Sequence, residues 1–247
     1  MTEAIQLAIS GATGRMGRVL QDLLRDETRF QLAAKLASDR NWRAAPALDV
    51  VVDFSAPAGF DAALAHCRQH GIALVSGTTG LDAAQRSAIA DAAHAIPILC
   101  AANFSLGIAV LTRLLHDAAA ILPGWDLEIL EAHHAGKIDA PSGTALALGR
   151  AAAAARGQDF DAVASLSRAR QAVPRQAGSI GFAALRAGDI VGEHTALLAA
   201  AGERLELTHR ATDRAIFARG ALAAAAWISG KPAGLYSLDD VLAYPGA

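Results

Sequence analysis

Short apolar runs alternate with segments of helical periodicity through the first hundred residues, and this alternation restricts the possible folds most strongly. The apolar runs have the length of β-strands and cover residues 5–10, 30–37, 48–55, 72–77 and 96–102. Because these runs are apolar on both faces, they are typical of strands in a parallel sheet that helices cover on both sides. The sequence therefore predicts a doubly wound α/β domain.

A glycine-rich turn, GATGRMG (residues 11–17), directly follows the first of these runs and leads into a helical segment. Glycines at this spacing allow a tight turn, a close approach of the backbone to a pyrophosphate, and close packing of the helix on the strand. The spacing departs from G-x-G-x-x-G, and a purely structural turn is the alternative interpretation. The position of the turn after the first strand of a βαβ unit favours dinucleotide binding.

Two more loops follow predicted strands of the same sheet. GTTG (77–80) comes after the fourth apolar run, and AANFSLG (101–107) comes after the fifth. The carboxyl ends of parallel strands meet at one edge of a sheet, where open α/β sheets bind their ligands. The two loops and the glycine-rich turn together predict a ligand-binding edge.

The pattern of elements changes after residue 104. The predicted elements are a helix that starts after Ser105, a strand at 125–134, a helix from Ser142 to Ala155, a strand near 162–168, consecutive strands within 179–211 and a final helix at 213–228. Many strands with few helices indicate a second domain of α+β type on a mixed or antiparallel sheet. We therefore expect a first domain at 1–104, completed by 213–247, and a second at 105–212.

Residues 131–144, EAHHAGKIDAPSGT, concentrate chemically active side chains in an alanine-rich chain. His133 and His134 lie where a strand ends, and neighbours in an extended chain point to opposite faces. Lys137 follows at loop spacing. Ser142 precedes an alanine-rich helix whose N-terminus would bind a carboxylate.

Three interpretations of this segment compete. The residues available for a metal site are Glu131, His133, His134 and Asp139. Adjacent histidines rarely bind one ion, however, and a nearby lysine opposes a cation. A purely structural role would leave the histidines as satisfied polar residues and Ser142 as a helix cap. We favour an anionic substrate site with a histidine proton donor, a lysine cation and a helix N-terminus that holds a carboxylate. Joined to a cofactor domain, such a site indicates an oxidoreductase with a cleft between its domains.

Composition excludes several classes of partner. Lys and Arg number 22 against 24 Asp and Glu, without a basic cluster, so the chain is not expected to bind nucleic acid. No apolar stretch approaches the roughly 20 residues of a membrane helix, and the N-terminus does not resemble a signal peptide. Cys67 and Cys100 lack metal-ligand spacing and are expected to be buried free thiols. We therefore expect a cytoplasmic protein without a membrane partner.

The motifs GATGRMG, VVDFSAP, GTTG, AANFSLG, EAHHAGKIDAPSGTAL and GDIVGEHT occur in this order over nearly the full length. They resemble the 4-hydroxy-tetrahydrodipicolinate reductases, or dihydrodipicolinate reductases, of bacterial lysine and diaminopimelate synthesis. The resemblance implies a Rossmann-like N-terminal domain and a homotetramer whose contacts come from the C-terminal sheet. It also implies that NADH or NADPH reduces the cyclic imine product of the preceding synthase, a small dicarboxylate, to tetrahydrodipicolinate.

The resemblance also implies roles for individual residues. The proton donor of the family falls on His133, and its substrate-binding catalytic lysine falls on Lys137. Further substrate contacts fall on His134, Gly143 and Thr144, to which the helix N-terminus adds Ser142. The cofactor contacts fall on Gly11, Ala12, Thr13, Gly14, Arg15, Met16, Gly77, Thr78, Thr79, Ala101, Ala102, Asn103 and Phe104.

The chain departs from the family pattern after the second apolar run. Many members have a longer segment with an additional strand where residues 37–49 connect here. Ala37 also replaces the acidic residue that often binds the adenosine ribose at this position. Ser38 and Arg40 could instead accommodate a 2′-phosphate, whereas Asp39 would repel it. We expect both NADPH and NADH to be used, with a slight preference for NADPH.

Two rival functions remain compatible with parts of the sequence. One is a different two-domain NAD(P)-dependent dehydrogenase that acts on a small amino or keto acid. The other is a catalytically silent dinucleotide sensor, because GATGRMG also resembles redox-sensing proteins. The pairing of His133 with Lys137 beside a helix N-terminus argues against both.

Overall fold

The computed structural model describes residues 3–36, 47–168 and 172–243. The chain divides into two compact units, Met1–Leu106 with Ala215–Ala247, and Gly107–Arg214. The strands in the described residues are β1 (Ile5–Ser10), β2 (Phe30–Leu36), β3 (Val50–Asp53), β4 (Ala73–Ser76), β5 (Pro97–Cys100), β6 (Asp126–His133), β7 (Ala164–Ser165), β8 (Ile180–Arg186), β9 (Gly192–Ala200), β10 (Glu203–Ala211) and β11 (Gly234–Tyr236). The helices are α1 (Arg15–Leu23), α2 (Pro57–His70), α3 (Ala83–Ala92), α4 (Leu106–Ile121), α5 (Gly143–Ala155), α6 (Phe160–Val163), α7 (Ala215–Ile228) and α8 (Leu238–Val241).

The first unit contains a six-stranded sheet in the order β11-β5-β4-β3-β1-β2, and its strand pairs are parallel. Strands β3 and β4 are buried along their whole length, as their apolar residues on both faces predict. Phe60 and Leu64 of α2 belong to the core on one side of the sheet, and α7 contacts α1, β3 and β4. The prediction of a doubly wound parallel sheet is confirmed.

The C-terminal end of the first unit differs from the sequence prediction, in which the helix at 213–228 was the last element. Strand β11 follows this helix and pairs with β5, so that Gly234 lies opposite Pro97, and α8 comes after it. A strand of three residues is too short for hydrophobic alternation to reveal it. One edge of the parallel sheet is therefore formed by β11, which follows α7.

The second unit contains a five-stranded mixed sheet in the order β10-β9-β6-β8-β7. Strand β6 lies at its centre, parallel to β8 and antiparallel to β9, which confirms the prediction of a mixed sheet. Leu127 and Ile129 of β6 face a core that includes buried residues of α4 and α5. Because side chains alternate along a strand, Glu131 and His133 lie on this same face.

Part of the opposite face of the mixed sheet is apolar and exposed. Leu130 of β6 is 42% exposed and Leu185 of β8 is 52% exposed. They line a shallow depression together with Ala132, Ala183 and Thr195. We call the surface formed by these residues the outer sheet face.

Two further expectations concern cysteines and membranes. Cys67 is buried in α2 and Cys100 is half-buried at the end of β5, and both are free thiols. Burial, together with the nearby charge of Asp53, raises the pKa of the Cys100 thiol to about 12. Over the described residues, the helices are too short or too polar to cross a bilayer.

Candidate active site

The turn between β1 and α1 has the backbone geometry that its glycines predict. Gly11 has a φ of 77°, and a Cβ there would lie 2.4 Å from the Phe54 carbonyl oxygen. A Cβ at Gly17 would lie 2.3 Å from the Gly11 carbonyl oxygen, so this glycine lets α1 pack directly on the turn. Gly14 precedes α1 without a side-chain cap. The helix N-terminus is therefore available to an anion.

Asp53 ties together the loops at the carboxyl edge of the parallel sheet. Its buried carboxylate accepts hydrogen bonds from the hydroxyls of Ser55 (2.5 Å), Ser76 (2.8 Å) and Thr78 (2.7 Å). The ring of Phe54 packs edge-on against Phe104, with ring centroids 5.7 Å apart. The loops after β3, β4 and β5 thus meet at one edge, as the sequence predicts.

The described predicted cofactor residues lie in the turn after β1, at the start of α1, and in the loops after β4 and β5. Their exposure differs, because Thr13, Gly14 and Arg15 are exposed whereas Thr78 and Phe104 are buried. The remaining predicted cofactor residues at this edge are Gly11, Ala12, Met16, Gly77, Thr79, Ala101, Ala102 and Asn103. Ser38 lies outside the described residues, as do Ala37, Asp39 and Arg40.

In the second unit, the end of β6 holds a buried carboxylate next to a histidine. Glu131 and His133 are two residues apart on one face of the strand, and the distance from His133 Nδ1 to Glu131 Oε2 is 2.6 Å. Arg186 at the end of β8 donates to both carboxylate oxygens, at 2.7 and 2.8 Å. The side chain of Glu131 is 0% exposed, so its charge is compensated entirely by neighbouring donors.

The N-terminus of α5 joins the same cluster. The backbone N–H of Ser142 donates to Glu131 Oε1 at 3.1 Å. The buried Ser142 hydroxyl caps α5 by accepting from the Ala145 N–H, and it lies 3.1 Å from Nε2 of His194 in β9. The next two predicted residues, Gly143 and Thr144, form the start of α5, where Gly143 is exposed and Thr144 is half-buried.

Lys137 lies in the loop between β6 and α5. Its backbone N–H donates to the carbonyl oxygen of His134, and its Nζ lies 2.8 Å from Asp139 Oδ1. The side chain of Lys137 is 22% exposed, whereas that of Asp139 is 59% exposed. His134 follows the last residue of β6 and is half-buried.

The charges around His133 set its protonation. Burial lowers the pKa of His133, and the nearby charges of Lys137 and Arg186 lower it further, whereas the hydrogen bond and charge of Glu131 oppose this shift. Burial raises the pKa of Glu131, but hydrogen bonds from Arg186 and His133 outweigh it, so the pKa of this carboxyl is lowered overall. Burial, followed by the charge of His133, lowers the pKa of His194 to about 4.

The structure thus brings together His133, Lys137 and Ser142, which the sequence singled out. It adds Arg186 and His194, which sequence reasoning did not assign to the site. Glu131 was considered only as a metal ligand, yet its carboxylate is held by Arg186. Across residues 3–36, 47–168 and 172–243, no group of three or more His, Cys, Asp or Glu side chains is arranged to hold a metal ion.

These features define a class of protein. A parallel sheet with a glycine turn at its carboxyl edge is the architecture of a dinucleotide-binding domain. A histidine, a lysine and a helix N-terminus in one cluster are suited to protonate an anionic substrate. The class is therefore a nicotinamide-dependent oxidoreductase.

The particular family follows from comparison with known proteins. The model described as "Dihydrodipicolinate reductase, N-terminus" matches residues 5–104, and that described as "Dihydrodipicolinate reductase, C-terminus" matches residues 107–242. The chain is 48% identical, over an alignment of 256 positions, to the 4-hydroxy-tetrahydrodipicolinate reductase of Xanthomonas euvesicatoria pv. vesicatoria (strain 85-10), covering 98% of this chain and 99% of the relative. The chain belongs to the dihydrodipicolinate reductase family, which carries out 4-hydroxy-tetrahydrodipicolinate reduction in lysine biosynthesis with a nicotinamide cofactor.

Solved structures share the fold. The structure titled "Dipicolinate bound Dihydrodipicolinate reductase from Paenisporosarcina sp. TG-14" has a TM-score of 0.77 and 23% identity, covering 95% of this chain and 98% of the other. A probable dehydrogenase from Thermotoga maritima has a TM-score of 0.59 and 12% identity, covering 96% and 92% of the two chains. At these identities the structures support the two-unit architecture alone.

Proposed function

We propose that the chain reduces 4-hydroxy-tetrahydrodipicolinate with His133 as the proton donor and Lys137 as the cation that holds a substrate carboxylate. The observation that carries this assignment is the cluster at the end of β6. There, a histidine held by a buried carboxylate lies within electrostatic reach of a lysine. The first unit serves as the cofactor domain in this proposal, and the second serves as the substrate domain.

The residues perform the acid step of the reaction. Loss of the ring hydroxyl as water gives an imine that is conjugated with a ring double bond. When bound, a reduced nicotinamide would supply a hydride to the far carbon of this conjugated system. The electron pair then moves toward the ring nitrogen. The carbon next to the one that received the hydride must gain a proton. His133 donates this proton in its charged form, so turnover requires the protonated ring.

The substrate carries two carboxylates, which need compensating groups in the protein. Lys137 pairs with one of them, and to do so it gives up its ion pair with Asp139. The backbone at Gly143 and Thr144 provides the positive end of the α5 dipole for the other. His134, next to the strand end, adds a further contact, and Ser142 holds the start of α5 in place.

The glycine turn fits a dinucleotide. The start of α1 has no side-chain cap, and Gly11 brings the turn against the backbone of Phe54. The pyrophosphate would be held at residues 11–16, and the loops at 77–79 and 101–104 would hold the nicotinamide half. These assignments follow the usual position of ligands at the carboxyl edge of an open α/β sheet.

We also propose that the enzyme acts in the cytoplasm. Cys67 and Cys100 are free thiols. Free thiols are maintained in this compartment.

Cofactor preference provides one prediction. Ala37 cannot bind the ribose 2′-hydroxyl of NADH as an acidic residue would. Arg15 and Arg40 offer cations for the 2′-phosphate of NADPH. Neither cofactor is therefore strongly excluded. We expect kcat/KM values for NADPH and NADH within about tenfold, or roughly 1.4 kcal/mol, with NADPH slightly favoured. Initial rates with both cofactors, measured side by side, test this. A preference for NADH of about a hundredfold would mean that Asp39 binds the ribose.

The oligomeric state provides another prediction. The outer sheet face exposes Leu130 and Leu185 beside an apolar depression, and such patches typically mark subunit contacts. We expect a homotetramer associated through this face. Sedimentation velocity should show a tetramer for the wild type and dissociation for Leu185→Asp. Leu235→Asp, a matched exposed leucine in the first unit, should stay tetrameric, and a concentration-independent wild-type monomer would contradict the proposal.

The activity itself is tested by oxidation of NADPH or NADH while the preceding synthase supplies the unstable substrate. Oxidation that depends on the synthase product supports the proposed reaction. Turnover with small amino or keto acids instead would indicate a different dehydrogenase. Cofactor binding without turnover of any of these compounds would indicate a sensor.

A further inference from the structure

Glu131 accepts hydrogen bonds from three directions inside the second unit. Arg186 of β8 donates two, the backbone of Ser142 donates one, and Nδ1 of His133 lies 2.6 Å from Oε2. Both carboxylate oxygens are therefore occupied by donors, which is the environment of an ionised carboxylate. The imidazole nitrogen that faces an ionised carboxylate must carry a proton.

The other ring nitrogen has a different environment. A Cβ at Gly192 would lie 3.1 Å from His133 Nε2, so a side chain at this position would press against Nε2. Nδ1 is held by Glu131, whereas Nε2 lies beside Gly192, which carries no side chain. The two nitrogens of His133 are thus distinguished by their neighbours.

The charged and titratable groups around His133 come from each element packed against it. Glu131 is on its own strand, Arg186 is on β8, His194 is on β9, and Lys137 is in the following loop. The rings of His133 and His194 meet edge to face, with centroids 5.2 Å apart, and His194 remains neutral at neutral pH because its pKa is about 4. Of these groups, only the Glu131 carboxylate favours the charged form of His133.

We infer that Glu131 is a positioning residue for the proton donor. It fixes the tautomer in which Nδ1 carries the proton, and it leaves Nε2 as the nitrogen that delivers a proton to substrate. It also keeps the ring in its charged form at a higher pH than burial alone would allow. This inference rests on the proposed role of His133, and Arg186 acts one step further away by keeping Glu131 ionised and in place.

A merely structural role is the alternative, because Glu131 also links β6 to β8 and to the start of α5. The two roles differ in what they predict for pH dependence. A structural link affects stability and leaves the protonation of His133 unchanged. A positioning carboxylate raises the pKa of His133, so its loss must shift the pH profile.

The test is kcat as a function of pH for Glu131→Gln. Because the charged ring is the donor, kcat falls as pH rises through the pKa of His133. Removing the negative charge should lower this pKa and move the falling limb about one pH unit toward acid. At neutral pH, kcat should then fall roughly tenfold, while the affinity for reduced cofactor is unchanged. Glu128→Gln is the matched control, since Glu128 is an arginine-paired carboxylate on the same strand, bound to Arg175.

An unshifted limb in Glu131→Gln would overturn the inference. A second measurement is the double variant Glu131→Gln with His133→Ala, whose kcat should equal that of His133→Ala alone if Glu131 acts through the histidine. A further fall in the double variant would mean an independent role. If His133→Ala itself turns over normally, the proposed role of His133 fails first.

A third measurement needs no substitution at Glu131. Nitrogen-15 chemical shifts of the neutral His133 ring in the wild-type protein, assigned by comparison with His133→Ala, report which nitrogen carries the proton. Protonated Nδ1 supports the inference, and protonated Nε2 would overturn it even if Glu131→Gln does not fold.

Discussion

Replacing His133 with alanine should lower kcat on the order of 10²-fold while the affinity for reduced cofactor stays near that of the wild type. The imidazole is the proposed source of the proton that completes the reduction, and water is a poorer and less well placed donor. Cofactor binding should not change, because the cofactor residues proposed here belong to the other unit. Steady-state rates and a cofactor titration by fluorescence measure the two quantities separately.

The dependence of kcat on pH provides a second test of the same variant. Burial holds the pKa of His133 below its ordinary value, and the charged ring is the active form. Wild-type kcat should therefore fall as pH rises through this lowered pKa, within a scan from about pH 5 to 8. His133→Ala should lose this limb. His116→Ala, an exposed histidine beside Asp117 in the same unit, is the control and should behave as the wild type. Nearly normal turnover in His133→Ala would remove His133 from the donor role.

The parallel sheet could be predicted from sequence because its strands are apolar on both faces. The runs containing β3 and β4 can be recognised as strands without knowing which strands they pair with, since each residue of these two strands is buried. Strand β11 and helix α6 were missed, because three or four residues show no periodicity. The short strand β11 is held by its pairing with β5, which local sequence does not reveal.

The candidate site was predictable only where its residues are close in sequence. His133, Lys137 and Ser142 fall in one segment, and their residue types suggest acid-base chemistry and anion binding. Arg186 lies 55 residues from Glu131, and His194 lies 52 residues from Ser142. They reach the cluster because β6 pairs with β8 on one side and β9 on the other, in a register that the sequence does not fix.

One local signal of the buried cluster was present in the sequence. Glu131 and His133 are two residues apart in a predicted strand, so they share a face. A carboxylate and a histidine on one face can form a hydrogen-bonded pair as readily as a metal site. The double hydrogen bond from Arg186 distinguishes the hydrogen-bonded pair from a metal site, because it occupies the carboxylate oxygens of Glu131. Arg186 lies on another strand, so the local sequence does not reveal this bond.

Lys137→Ala should raise the substrate KM and lower kcat together. The same cation positions a carboxylate and stabilises charge during the reaction, so its loss affects both binding and turnover. A hydrogen bond to a charged group contributes about 1.5–3 kcal/mol, so kcat/KM should fall by roughly 10- to 150-fold. Substrate kinetics with saturating cofactor measure this loss.

The present partner of Lys137 explains why the lysine is available to substrate. Asp139 is largely exposed, and an exposed ion pair contributes little to stability, so exchange of Asp139 for a substrate carboxylate has a small cost. Asp139→Asn should therefore leave kcat/KM within about threefold of the wild type. It serves as the matched control for the lysine variant.

A planar dicarboxylate separates loss of the anion site from general damage to the enzyme. Pyridine-2,6-dicarboxylate should compete with substrate in the wild type, because it presents two carboxylates without a reducible imine. Its inhibition constant should rise in Lys137→Ala by about the same factor as kcat/KM falls, because the loss of one charge contact weakens the binding of both inhibitor and substrate. Cofactor affinity should stay unchanged. Unchanged substrate kinetics in Lys137→Ala, or no inhibition of the wild type at millimolar concentration, would mean that the substrate carboxylates are bound elsewhere.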